Sequence, residues 1–427
     1  MHVTLLPFGS AGDVLPFLWL GRQLRARGHE VTVVSACVFA EAAVAAGFAF
    51  VPLGRPEDFD GFIADPQIWK LGAGTKKVFQ FAGAAAATYA EAIETLAASG
   101  RRPDLLLAPC TAFGARLARE SLGIPLVTVH LQPAVFVSAH ELPVLLPGME
   151  LVNRLPLWLR RLLVRVPNPA DRYAGPAVAA LCRSRGLTPP RSLWWDWGNS
   201  PDGVLALFPE WFARPQPDWP QPLRQWDFPL EDLASERPLD PALTTFLEAG
   251  VAPVVFTPGS ANIQARRFFE VALAAVRETG LRAVFVTRAP EQLPADLPDS
   301  VHAVTYAPFS PLLRRAAAFV HHGGIGTLSQ GFAAGLPQIV MPMAHDQPDN
   351  AYRLVRLGAG LSLPPRRFTP ERLAAALIAC RDDTALRAAA QACARRLQER
   401  PDPAALVDWL EARSLRQIGS DDSRLGV

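Results

Sequence analysis

Apolar residues in this chain fall into short runs separated by helical stretches, and the alternation begins at once. Val3 to Phe8 is a run of strand formers closed by Gly9-Ser10-Ala11-Gly12-Asp13. Beyond that loop Val14, Phe17, Leu18, Gly21 and Leu24 recur at helical spacing until Gly28 ends the pattern. Val31–Val34 and Phe48–Val51 are further apolar runs, so the start of the chain reads strand–helix–strand–helix–strand. Strands that are apolar throughout, joined by amphipathic helices, predict a parallel sheet covered on both faces.

The middle is dense in Pro and Trp, with strand-like pieces at Leu105–Ala108, Leu126–His130 and Val204–Phe208. From Trp226 to Pro241 a Pro-, Asp- and Glu-rich stretch loses periodicity and reads as a linker. The alternation restarts with strands at Val254–Thr257, Ala283–Thr287, Ala318–His321 and Gln338–Met341. A helix is expected over Gln264–Thr279, another from Asp346 to Gly358, and a last one over Pro403–Arg413 ahead of a polar, disordered tail. The predicted fold class is α/β: two doubly wound, Rossmann-like parallel-sheet domains facing across a cleft. The predicted division is 1–225, a linker 226–241, 242–395, and a C-terminal helix and tail over 396–427.

Length agrees with two domains, because 427 residues exceed what one core usually organises. Net charge is only +2 and no basic stripe stands out, which argues against a nucleic-acid partner. The five cysteines are scattered, form no Cys-x-x-Cys and suit a reduced, cytoplasmic protein. The first residues lack a basic n-region, and no apolar run approaches the ~18 residues that span a bilayer. The expectation is a soluble chain, at most peripheral to the inner face of a membrane.

Two glycine-rich loops carry the chemistry. Gly9–Asp13 joins a strand to a helix but lacks the third glycine of a dinucleotide fingerprint, and Ser35 stands where a ribose-binding acid would be. A tight turn and a binding loop are equal readings of it. His321-His322-Gly323-Gly324-Ile325-Gly326-Thr327 is the stronger signal. Its glycines let a diphosphate approach the backbone, the helix N-terminus offers unpaired N–H donors, and His322 and Thr327 add side-chain donors. Downstream, Asp346 and Gln347 open another helix with groups suited to a polyhydroxylated ligand, or to a helix cap.

In order and spacing, Tyr306-Ala307-Pro308-Phe309, His322 to Thr327, Gly335-Leu336-Pro337 and Asp346-Gln347-Pro348-Asp349-Asn350 resemble a known signature. It is the nucleotide-sugar signature of the Leloir glycosyltransferases that include the UDP-glycosyltransferases, with their two-domain GT-B fold. The resemblance implies that the first domain binds the acceptor and the second the nucleotide sugar. It implies that Tyr306 stacks on the pyrimidine and that the Phe309 backbone borders it. Ser260 would touch the distal phosphate, while His322, Gly324, Gly326 and Thr327 hold the diphosphate. Asp346 and Gln347 would bind sugar hydroxyls. Many members carry Glu where this chain has Gln330, to grip both ribose hydroxyls; Gln330 leaves room for dTDP as well as UDP.

Gly12-Asp13-Val14-Leu15-Pro16 is similar to the Asp variant of the family's Gly-His-x-x-Pro, seen in antibiotic and sterol glycosyltransferases, and implies Asp13 as catalytic base. Without the downstream signature, a helix cap would be the preferred account of Asp13. A narrower likeness, to the rhamnosyltransferase catalytic chain of rhamnolipid synthesis, rests on Gly9 to Val14, Leu207 to Ala213 and Gln216 to Leu223. Together these imply an inverting glycosyltransferase that moves rhamnosyl from dTDP-rhamnose, or glucosyl from UDP-glucose, to a hydroxyl. The acceptor would be apolar: a hydroxy fatty acid lipid, a sterol or a polyketide. The nucleotide sugar is then a substrate, and no metal or other cofactor is expected, since helix dipoles and His322 would neutralise the diphosphate. A non-catalytic auxiliary homologue and a GT-B sugar-nucleotide epimerase are the competing readings.

Three weaker features remain. Leu157-Trp158-Leu159-Arg160-Arg161-Leu162-Leu163-Val164-Arg165 is basic and amphipathic; packing on its own domain is the commoner fate of such a segment, membrane contact the alternative. Trp194-Trp195-Asp196-Trp197 suits either an acceptor pocket or core packing. Asp58-Phe59-Asp60 imitates a metal-binding Asp-x-Asp but lacks its context, and no His/Cys cluster has metal-ligand spacing.

Overall fold

The computed structural model describes residues 1–166, 168–230 and 238–415. The tail expected beyond Leu415 and residues 231–237 of the expected linker lie outside the described residues. Among the described residues thirteen strands form two sheets. The first holds β1 (His2–Leu5), β2 (Glu30–Ala36), β3 (Ala49–Leu53), β4 (Leu105–Ala108), β5 (Leu126–His130), β6 (Val204–Leu207) and β7 (Leu223–Trp226). The second holds β8 (Val254–Thr257), β9 (Ala283–Val286), β10 (Val301–Val304), β11 (Ala318–His321), β12 (Gln338–Val340) and β13 (Gly360–Ser362).

Strand order is β3-β2-β1-β4-β5-β6-β7 in the first sheet and β10-β9-β8-β11-β12-β13 in the second. Every pair is parallel. Both sheets therefore start at the centre, wind outward one way, and restart beside the first strand to wind the other. The crevice of such a sheet opens at the carboxyl ends of the two central strands, where the winding reverses. These are β1 and β4 in the first sheet and β8 and β11 in the second. The two-sheet reading of the sequence is what the chain adopts.

The strands that pattern did not reveal are β7, β10 and β13, and all three lie at sheet edges. β7 (Leu-Arg-Gln-Trp) buries only its last residue fully, and β10 only its first. An edge strand covered on fewer sides needs no apolar run, so it leaves no apolar signal.

The halves are joined by more than the linker. Phe332 of the second half lies in an aromatic cluster with Trp211, Phe212 and Phe228, at centroid distances of 5.5, 5.9 and 6.3 Å. The Val144 N–H donates to the buried Asp349 carboxylate at 2.9 Å, and Arg353 Nε reaches the other oxygen of that carboxylate at 2.7 Å. The last helix, Pro403–Ser414, returns to the first domain and buries Leu406, Val407 and Leu410. Its Asp408 and Glu411 accept from Arg27 (2.6 Å) and pair with His29 (2.8 Å). No helix among the described residues is long and apolar enough to cross a membrane.

Candidate active site

Four loops at the carboxyl ends of β1, β8, β11 and β12 meet in the cleft between the sheets. From β1 the chain turns at Gly9, whose φ of 128° favours glycine. A side chain there would also run into the Asp13 carboxylate. Asp13 sits in the first turn of the Ala11–Ala26 helix and accepts from the Ser10 N–H at 2.8 Å and the Ser10 hydroxyl at 3.1 Å. The helix-cap reading of Asp13 is thus real, and it coexists with a second fact: the carboxylate lines the cleft. Burial raises its pKa above the ordinary Asp value against the lowering effect of the Ser10 bonds. A carboxylate held this way is a stronger base than one in water.

Opposite stands the loop after β11. Gly323 takes φ 92°, and a Cβ on it would lie 2.6 Å from Val340. A Cβ on Gly324 would lie 2.5 Å from the His322 ring. The helix Ile325–Ala333 then begins without a side-chain cap, leaving its first N–H groups facing the cleft. Burial drives His322 down to about 4, so its imidazole is neutral at physiological pH. In the free chain, therefore, His322 offers a hydrogen bond and carries no charge of its own. Its Nδ1 is buried and has no partner.

After β12 the residue His345 adopts φ 60°, a left-handed conformation that costs a non-glycine residue strain. The next residue, Asp346, accepts from Asn350 Nδ2 at 2.6 Å, and the same Nδ2 donates to the Gly323 carbonyl at 2.9 Å. Asn350 therefore ties the Asp346 carboxylate to the glycine loop after β11. Gln347 Oε1 accepts from the Met343 and Ala344 N–H groups at 2.8 and 3.2 Å, which leaves its amide nitrogen for a ligand. Burial first, and the charge of Asp13 second, push the Asp346 carboxyl up to about 7.

The cleft holds two cavities. The larger, about 650 Å³, contains Asp13, His322, Gly324, Asp346 and Gln347. Its far wall is aromatic and comes from the first domain: Phe62 stacks on Phe81 at 4.4 Å, with Phe8 5.7 Å from Phe81 and Trp69 alongside. The smaller, about 150 Å³, is lined by Tyr306, Phe309 and Gln330, together with Arg288 and Thr305. Gly12, Gly259, Ser260, Gly326 and Thr327 border both. All eleven residues singled out in the sequence line one cavity or the other.

Sequence reasoning did not single out Asn350 as a positioning residue, nor the apolar wall. Phe62 and Phe81 lie on helices, where an aromatic at helical spacing reads as core. Trp194 and Trp197 do not line either cavity; they pack in a separate cluster with Phe79, Trp194 lying 6.0 Å from Phe79. Asp58 caps its own helix, accepting from the Arg55 N–H at 2.9 Å. Among the described residues no group of three or more His, Cys, Asp or Glu side chains is arranged to hold a metal.

Residues 280–413 match the family described as erythromycin biosynthesis protein CIII-like, C-terminal domain. The O-mycaminosyltylonolide 6-deoxyallosyltransferase of Streptomyces fradiae is 31% identical over 401 residues, which cover 90% of this chain and 91% of that one. The chain belongs to the UDP-glycosyltransferase-like family of GT-B glycosyltransferases. The vancomycin aglycone glucosyltransferase of Amycolatopsis orientalis is likewise 31% identical, over 88% of this chain and 89% of its own. Among solved structures, the spinosyn rhamnosyltransferase SpnG superposes with a TM-score of 0.70 at 22% identity, covering 96% of this chain and all of that one. SpnG has also been solved with thymidine diphosphate and with the spinosyn aglycone. This chain is a glycosyltransferase of that fold.

Proposed function

We propose that the protein transfers a hexosyl group, with inversion, from a dTDP-linked donor to a hydroxyl of an apolar polyketide-type aglycone. The observation that carries this is the meeting of two unequal cavities at Gly12, Ser260, Gly326 and Thr327. A nucleoside diphosphate sugar has the matching form: a flat base for the small cavity, a diphosphate for the junction, and a sugar for the large one. Tyr306 and Phe309 would hold the base, with Gln330 near the ribose. The uncapped helix at Gly324–Thr327 would hold the diphosphate, with Ser260 and the neutral His322 as further donors. Asp346 and the Gln347 amide would hold sugar hydroxyls, and the aromatic wall beyond would take the aglycone.

The chemistry is a single displacement. Asp13 takes the proton of the acceptor hydroxyl as its oxygen bonds to the anomeric carbon. The bond from that carbon to the β-phosphate oxygen breaks on the opposite face, and the nucleoside diphosphate leaves. The charge it gains develops against the helix N-terminus, which is already in place. Rhamnosyl and glucosyl are the sugars favoured, and Gln330, in place of a ribose-gripping Glu, admits a thymidine donor beside a uridine one. Relatives named for the O-mycaminosyltylonolide and 10-deoxymethynolide acceptors support a polyketide, the first at 31% identity against 25% for a sterol glucosyltransferase.

The test is release of nucleoside diphosphate from dTDP-rhamnose, dTDP-glucose and UDP-glucose, with and without a panel of polyketide aglycones. Acceptor-dependent release from a dTDP sugar, with a β- or α-configured product inverted from the donor, is expected. Release without acceptor would support an epimerase instead. No release with any pair would favour the auxiliary role.

A further inference from the structure

The segment Met149–Val166 stands out from the first domain. Packing on the domain is the commoner fate of such a stretch, yet several of its large apolar side chains are exposed while Leu155, Leu157 and Leu159 are half-buried. Trp158 is 65% exposed, Leu162 52%, Leu151 56% and Val166 62%, with Leu163 also exposed. Arg161 and Arg165 stand among them, and neither makes an ion pair with a described residue. Arg160 alone is committed, donating to the His140 carbonyl at 2.6 Å. Glu150 is the single acidic residue of the segment.

On the helix Leu157–Leu163, Trp158, Arg161 and Leu162 are three and four positions apart, so cation and apolar groups share one face. A protein interface would separate an apolar centre from a charged rim, and leucine is under-represented among interface hot spots. Interleaved Trp, Leu and Arg fit a bilayer interface: leucines enter the acyl boundary, the indole sits at headgroup level, and arginines reach the phosphates. The near absence of acid is the charge complement of an anionic surface.

We propose that Met149–Val166 docks the protein on the surface of an anionic lipid bilayer, with Trp158 and Leu162 inserted and Arg161 and Arg165 on lipid phosphates. None of this segment lines the two cavities, so the docking is independent of which donor or acceptor the enzyme uses.

Flotation of the full chain with vesicles tests it, using pure phosphatidylcholine against phosphatidylcholine mixed with phosphatidylglycerol. Binding to the mixed vesicles, abolished in high salt and weak on the neutral ones, is expected. Trp158→Glu should cut binding at least tenfold. Arg161→Glu combined with Arg165→Glu should do the same, since each arginine at an anionic surface is worth roughly fivefold in affinity. These side chains face solvent, so the melting temperature of each variant should match the parent, which separates failed docking from failed folding. No binding to anionic vesicles by the parent chain would overturn the proposal, as would equal binding by the variants. So would a parent chain that ignores vesicles but pairs through this face, shown by a dimer that Trp158→Glu converts to monomer.

Discussion

Asp13 of the first domain and Asp346 of the second are close enough across the cleft for the charge of one to act on the other. Burial, and then Asp13, hold the Asp346 carboxyl at about 7, while burial also raises Asp13. Two carboxylates from opposite domains line one cavity, and the charge of Asp13 makes Asp346 harder to ionise. Such a site is unfavourable when both are ionised, and a ligand rich in hydroxyl donors relieves it.

That relationship sets a pH dependence of stability. Between 3.8, the ordinary Asp value, and about 7 the folded chain holds a proton on Asp346 that the unfolded chain has released. Stability contributed by Asp346 therefore falls as pH rises through this window. Asp346→Asn removes the penalty and keeps an oxygen to accept from Asn350. Its melting temperature should exceed that of the parent at neutral pH, and the gap should close toward pH 4. A constant gap, or none, would show that Asp346 is not held protonated.

Gly326 borders both cavities, and a Cβ added there first meets the Gly12 carbonyl oxygen at 4.0 Å. A side chain at Gly324 would collide with His322, so Gly326 is the cleaner probe of the proposed diphosphate site. Gly326→Val should fold, yet weaken dTDP or UDP binding by at least about tenfold, a loss of ~1.4 kcal/mol. Calorimetry that finds an unchanged affinity would remove the diphosphate from this helix.

Gln330 lines the smaller cavity beside Tyr306. Gln330→Glu introduces an acceptor for two ribose hydroxyls, a charged bond pair of the kind worth about 1.5–3 kcal/mol. The variant should shift preference toward UDP over dTDP by about tenfold or more. An unaltered ratio would mean that the ribose lies elsewhere.

Transfer should persist in EDTA and gain nothing from magnesium or manganese, because the leaving charge falls on helix N–H groups. Loss of transfer in EDTA with recovery on adding metal would contradict this and return attention to Asp58.

The double sheet was legible because its central strands are apolar on both faces and its helices are punctuated by Gly28, Gly280 and Gly358. The edge strands β7, β10 and β13 were not, since an edge is partly solvated and carries Arg, Gln, His and Ser. The glycine loop at the head of the Ile325–Ala333 helix was legible because its glycines fall together directly between a strand and a helix. The aromatic wall was not: Phe62 and Phe81 face a cavity that exists only once the helices are assembled. The role of Asn350 depends on its bond to Gly323, 27 residues earlier in the chain, which periodicity does not register. Nor could pattern say whether Trp158 is packed or exposed, because both fates use the same amphipathic spacing.

The central claim is that Asp13 is the base and not merely a cap, and the kinetics of Asp13→Asn test it most directly. Asn keeps the shape and can accept from Ser10 through its amide oxygen, so the helix start survives. It cannot take a proton. Turnover should fall by about 10²–10⁴-fold, the usual contribution of general-base catalysis, with donor affinity nearly unchanged. A variant that turns over like the parent would leave Asp13 a cap alone and contradict the mechanism.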